Sequence, residues 1–99
     1  MSLGGGAGGA VGAAEAAGAA EADAALALER CDELDRYSAD PVHLERTHLT
    51  PQHRQANDAA LGWMRAAGLR TWVDAAGNAC GRREGREPGL PALLLGSHL

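Results

Sequence analysis

A chain of 99 residues with 14 glycines and three aromatic residues, Tyr37, Trp63 and Trp72, has room for one domain at most. The formal charge is −4 and all nine basic residues are Arg, scattered except for Arg82-Arg83, so there is no electrostatic footprint for nucleic acid. No apolar block is solid enough for an export signal or a membrane span. The two cysteines, Cys31 and Cys80, are too far apart for a CxxC motif, and reduced thiols in a cytoplasmic protein are expected.

From Ser2 to Ala25 the chain is almost entirely Gly and Ala with a few acids. Such a stretch has little apolar area to offset the entropy of ordering it, and residues 1–20 read as a disordered leader. That leaves roughly 75 residues for a core, near the lower limit at which one core suffices. Residues 21–38 carry a helical period. Ala24, Ala27, Leu28, Cys31 and Leu34 fall on one stripe, which is expected to face a core and to make Cys31 a buried, inert thiol. Ser38-Ala-Asp-Pro41 ends the helix, because Pro disfavours helical geometry in the residue before it.

Residues 42–49 form a polar connection. His43, His48 and His53 are spaced by five, which on a helix is about 500° of rotation, so they would not share a face. Surface histidines are expected there rather than a metal site. Thr50-Pro51 is a helix start, with a hydroxyl residue at the N-cap and Pro at the first helical position. The helix is predicted to run through Ala67, burying Ala56, Ala60, Trp63, Met64 and Ala67, with Gly68 in the left-handed position after its end. Gly62 costs this helix roughly 1 kcal/mol relative to Ala and suggests close packing.

Residues 70–74 alternate, with Thr71 and Val73 on one side of a half-exposed strand and Arg70, Trp72 and Asp74 on the other. Ala75-Ala-Gly-Asn78 supplies turn residues, and residues 79–83 return as the second arm of a hairpin, with Cys80 a small packed residue. After the charged loop 84–89 comes Pro91-Ala-Leu-Leu-Leu-Gly-Ser-His-Leu99. Its apolar run, 92–95, reads as a strand buried on both faces, where covering each leucine is worth roughly 1.5–3 kcal/mol. Ligands in open α/β sheets collect beyond the carboxyl ends of such strands, so His98 stands where a metal ligand or catalytic base would be placed. Equally, Gly-Ser-His-Leu is a polar turn after a core strand. The order of two helices, a hairpin and one buried strand is the opening of an α/β mixed sheet, incomplete as it stands.

Four pieces together carry a family resemblance: Arg46-Thr-His-Leu-Thr-Pro51; Trp63-Met64 with Gly68-Leu69; Asp74-Ala-Ala-Gly-Asn-Ala-Cys-Gly-Arg82 with Gly85; and Pro91-Ala-Leu-Leu-Leu-Gly-Ser-His98. In order and spacing, residues 46–98 resemble the start of the catalytic domain of M20-family metallohydrolases, in the branch of allantoate amidohydrolases and N-carbamoyl-L-amino-acid hydrolases. The Asp-x-x-Gly-Asn-x-x-Gly-Arg segment favours that branch. The resemblance makes residues 21–99 the N-terminal portion of a zinc-peptidase-like catalytic domain. It implies a Gly-Ser-His-x-Asp motif whose His, here His98, is one ligand of a centre of two divalent ions, zinc or manganese. Leu99 fills the variable position, and the motif's Asp is not among these residues.

The resemblance further implies hydrolysis of a ureido or carbamoyl C–N bond in a small-molecule substrate, allantoate or an N-carbamoyl amino acid, by a homodimeric parent enzyme. A hydrolytic metal site needs about three protein ligands per ion and an open position for water. A lone imidazole also lacks the carboxylate that fixes its tautomer. The 99 residues are therefore expected to be inactive alone and to bind no ion tightly. The alternative from a different class is a small non-catalytic interaction module derived from such an enzyme, presenting an uncovered apolar strand to a partner.

Overall fold

A computed structural model describes residues 3–99. In chain order the elements are α1 (Leu3–Asp35), α2 (Pro51–Ala66), β1 (Arg70–Val73) and β2 (Ala79–Arg82). The chain divides into two units, the first ending at Glu33 and the second comprising Leu34–Leu99.

The first unit holds α1 as far as Glu33. Sequence places its start at Glu21, but it begins at Leu3 and so takes in most of the stretch read as a leader. Its alanines have the highest intrinsic helix propensity of any residue, and no proline interrupts them. Most of the stripe predicted to face a core is not covered: Ala24, Ala27 and Leu28 are exposed, Leu28 to 68%, Cys31 is an exposed free thiol rather than a buried one, and Leu34 is half-buried. Alanine propensity rather than burial favours this helix from Ala13 onward, against the cost of the seven glycines from Gly4 to Gly18. No helix among the described residues is long and apolar enough to cross a membrane.

The second unit begins with the last two residues of α1, Leu34 and Asp35, and a loop organised by Ser38 and Asp40. Ser38 Oγ lies 2.8 Å from the Asp40 carbonyl and 2.9 Å from that of His43, which share its one proton, and it accepts from the Glu45 amide at 2.9 Å. Asp40 Oδ1 accepts from the amides of Val42 (2.7 Å) and His43 (2.8 Å). The guanidinium of Arg46 reaches back to the carbonyls of Leu34 (2.6 Å) and Tyr37 (3.0 Å), which lie at the end of α1 and just past it. Such carbonyls have no partner within a helix, and a cation there is favourable.

α2 starts and stops as its sequence predicts. Thr50 is the N-cap, with φ −90° and ψ 166°, and its hydroxyl accepts from the His53 amide at 3.3 Å. At the other end Gly68 has φ +88°. The Gly68 amide donates to Arg65 O (2.9 Å) and the Leu69 amide to Met64 O (3.0 Å), the paired bonds of a Schellman cap. The buried face, however, is turned from the predicted one. Ala56, Asn57 and Leu61 are buried, Ala60, Trp63 and Met64 are half-buried, and Ala67 is exposed. The turn follows from Asn57, whose Nδ2 donates to Gly77 O at 2.9 Å and so ties this face to the hairpin. Gly62 is not a close-packing residue; a Cβ there would meet only Arg65 Nη2, at 3.9 Å.

β1 and β2 pair antiparallel, with Trp72 opposite Cys80 and Val73 opposite Ala79. The turn between them is built by Asp74. Its Oδ1 accepts from the amides of Ala76 (3.0 Å) and Asn78 (2.9 Å), its Oδ2 from Asn78 Nδ2 (2.9 Å), and Gly77 takes φ +87°. Gly81 is where the hairpin meets α2, since a Cβ there would lie 2.8 Å from Met64 Sδ and 2.9 Å from Leu69 Cδ2.

The predicted buried strand does not form. Residues 91–99 have no regular structure, and Leu93, Leu94 and Leu95 are 86%, 91% and 83% exposed. An apolar run becomes a central strand only when neighbours supply ladder bonds and a covering layer. Among the described residues the sheet has two strands, and neither pairs with this segment.

Candidate functional site

An open cleft of about 450 Å³ lies in the second unit, between α2, the start of β2 and the last residues of the chain. α2 contributes His53, Asn57, Ala60 and Met64, which recur on one face at helical spacing. The hairpin contributes Asn78 and Ala79, positioned by the Asp74 turn. Residues 95–99 close it, bringing Ser97 and His98 opposite the helix. His98 is thus exposed beside a helix, not at the tip of a buried strand.

The lining holds two imidazoles, two carboxamides and a hydroxyl, with no carboxylate or guanidinium side chain. Its polar groups are partly committed. Asn57 Nδ2 serves Gly77 O, and one hydrogen of Asn78 Nδ2 serves Asp74 Oδ2. Asp74 itself is held below the ordinary carboxylate range, chiefly by the Asn78 side-chain hydrogen bond and then by the Asn78 amide. The Cys80 thiol lies 3.6 Å from Asn78 O and is half-buried, as a small packed residue of the hairpin should be.

Of the three evenly spaced histidines, two meet. The rings of His48 and His53 stand edge to face with centroids 4.9 Å apart. His53 is half-buried rather than a surface residue, and its Nδ1 accepts from the Leu49 amide at 3.2 Å. His43 is exposed and enters the structure through its backbone. Sequence reasoning passed over His53 and Asn57 as members of a site. The usable signal was Asn57 itself, a polar residue within the apolar stripe Ala56, Ala60, Leu61 and Met64, where burial demands a partner.

Among the described residues no three His, Cys, Asp or Glu side chains come together to hold a metal ion. The described residues thus supply no full set of ligands around His98 for a centre of two ions, and what the side chains lining the cleft offer is hydrogen-bonding groups.

No protein-family model and no solved structure matches the chain. It is 47% identical over 73 residues to allantoate deiminase 1 of Glycine max, an alignment covering 74% of this chain and 15% of that protein. It is 45% identical over 73 residues to allantoate deiminase of Arabidopsis thaliana, covering 74% of this chain and 14% of the relative. With the N-carbamoyl-L-amino-acid amidohydrolase of Paenarthrobacter aurescens the identity is 46% over 66 residues, 67% of this chain and 16% of the relative. Similarity this high, over most of the chain and to both kinds of enzyme, settles kinship: the chain belongs to the family of allantoate deiminases and N-carbamoyl-L-amino-acid amidohydrolases, and it spans about 15% of their length.

Proposed function

We propose that this chain is a segment of a hydrolase acting on the ureido or carbamoyl C–N bond of a small ureido acid, and that the 99 residues do not catalyse that reaction alone. The observation that carries the reading is the shared sequence with allantoate deiminases and N-carbamoyl-L-amino-acid amidohydrolases over 74% and 67% of the chain. In this reading the enzyme is a cytoplasmic homodimer. His98 is one ligand of a centre of two zinc or manganese ions, whose other ligands these residues do not supply. What this chain's own residues provide is a wall: α2 and the hairpin turn place an imidazole and two carboxamides against the segment carrying His98.

A chimera tests the proposal. The matched segment of the soybean relative is replaced by the corresponding residues of this chain, and hydrolysis of allantoate and of N-carbamoyl amino acids is followed with divalent metal present. The chimera is expected to turn over one of these substrates, His98→Ala to abolish that turnover, and the 99-residue chain to be inert. A well-folded chimera inactive on both substrates would defeat the reading.

A second reading, a non-catalytic interaction module, is favoured by one observation. Leu93, Leu94 and Leu95 stand exposed in a row, an apolar edge suited to pairing. Size-exclusion chromatography and heteronuclear spectra separate the two. A stable, dispersed monomer favours the module, and aggregation favours the enzyme segment.

A further inference from the structure

Two histidines, His53 and His98, line one cleft, and the simple reading would make them a pair of ligands. The hydrogen bonding of His53 points elsewhere. A backbone N–H can only donate, so Nδ1 of His53, 3.2 Å from the Leu49 amide, must accept. A neutral imidazole that accepts at Nδ1 carries its proton on Nε2. Neither nitrogen then has a free lone pair: one is spent on Leu49, the other is protonated.

The bond to Leu49 is not incidental. Leu49 is the one non-glycine residue with positive φ among those described, at +62°. Left-handed backbone is costly for a leucine and persists only where the surroundings hold it. Three contacts do so. His53 Nδ1 takes the Leu49 amide, Thr50 next to it caps α2, and the Leu49 side chain lies over Gly77, where an added Cβ would sit 2.8 Å from Leu49 Cδ2. His53 in turn gives its own amide to Thr50 Oγ1. The tautomer is thus set by a closed local circuit rather than by an exposed, freely turning ring.

We infer that His53 is a fixed hydrogen-bond donor in the cleft, its Nε2–H recognising a carboxylate oxygen of a small organic acid, and not a metal ligand. The lining supports an anionic acceptor. It offers further donors in the Ser97 hydroxyl and the second hydrogen of the Asn78 amide; the lining itself carries no side-chain carboxylate, and that of Asp74 behind Asn78 is already spent on the Ala76 and Asn78 N–H groups. The choice of a carboxylic acid bearing a ureido group as ligand rests on the proposed function, whereas the placement of the proton does not.

Imidazole and amide nitrogen resonances of the labelled 99-residue chain in mildly alkaline buffer provide the test. His53 is expected as the Nε2–H tautomer with Nδ1 accepting. Acetate and N-carbamoylglycine are expected to move its Nε2 signal saturably, and acetamide, which is neutral, to leave it in place. His53→Gln should weaken N-carbamoylglycine binding roughly tenfold, the loss typical of a hydrogen bond to a charged group. An Nδ1–H tautomer, equal shifts with acetamide, the absence of any shift, or unchanged binding in the variant would each overturn the inference. If the variant fails to fold, the tautomer and the three titrations of the unsubstituted chain still decide it. An inactive chimera would refute the proposed function without touching these signals.

Discussion

Gly77 is the residue on which the second unit turns. Its φ of +87° suits glycine alone, and an added Cβ would sit 2.8 Å from Leu49 Cδ2 and 3.3 Å from His48 Cε1. Its carbonyl meanwhile receives the Asn57 amide. Gly77→Ala therefore meets a conformational penalty and a steric one, and we expect a loss of roughly 1–3 kcal/mol in denaturant unfolding. Gly62 is the control. It lies mid-helix with only Arg65 Nη2 near, at 3.9 Å, so Gly62→Ala should stabilise by about 0.5–1 kcal/mol. If the two variants shift the unfolding midpoint alike, the account of the Leu49–Gly77 contact fails. Sequence already separates Gly62, a costly residue inside a helix, from Gly77, a turn glycine; what it does not show is the Leu49 side chain over Gly77 and the open space at Gly62.

Among elements, those with strong local rules were legible and those dependent on a neighbour were not. Thr50, Pro51 and Gly68 bound α2 because capping acts within a few residues of chain. The hairpin follows from alternation and a turn that its own Asp74 closes. By contrast, the face that α2 buries is set by Asn57 reaching Gly77 across 20 residues, and the strand expected at 92–95 needed a ladder partner that local pattern cannot supply. The site shared this fate. His98 was singled out from sequence, while His53, Asn57 and Asn78 joined it in a cleft only once the helix and hairpin had packed.

The Asp74 turn also carries a pH dependence. The native pKa of Asp74 is depressed, so the carboxylate's stabilising effect is fully present above its unfolded-state value and is lost as pH falls through the native one. Glu84, held low by its hydrogen bond to Arg82, and Asp40, held low by the His43 and Val42 amides, act in the same direction. The Asp74 contribution is isolated by difference. Asp74→Asn should lower stability at neutral pH and should narrow its gap to the parent chain as both are acidified below the carboxylate range. A gap that stays constant with pH would assign the turn's stability to its backbone bonds alone.

At the scale of the whole molecule, the balance between covered and uncovered apolar surface is unusual. Among the described residues the buried hydrophobic side chains are Ala56 and Leu61, whereas Leu90, Leu93, Leu94 and Leu95 all stand in solvent. A contiguous apolar run with unpaired backbone amides beside it is a pairing surface, because it offers both ladder bonds and area to whatever meets it. The rest of the surface does little to oppose contact between copies, since a net charge of −4 over 99 residues gives only modest repulsion. The 99-residue chain is therefore expected to associate in a concentration-dependent manner, as sedimentation velocity would show. Replacing Leu93 and Leu95 with Ser should shift it toward the monomer. The hairpin and α2 should be untouched by that change, since both leucines are exposed and only Leu95 even borders the cleft. Association unchanged in the double variant would move its cause to α1, where Leu26 and Leu28 are the exposed large apolar side chains among the described residues.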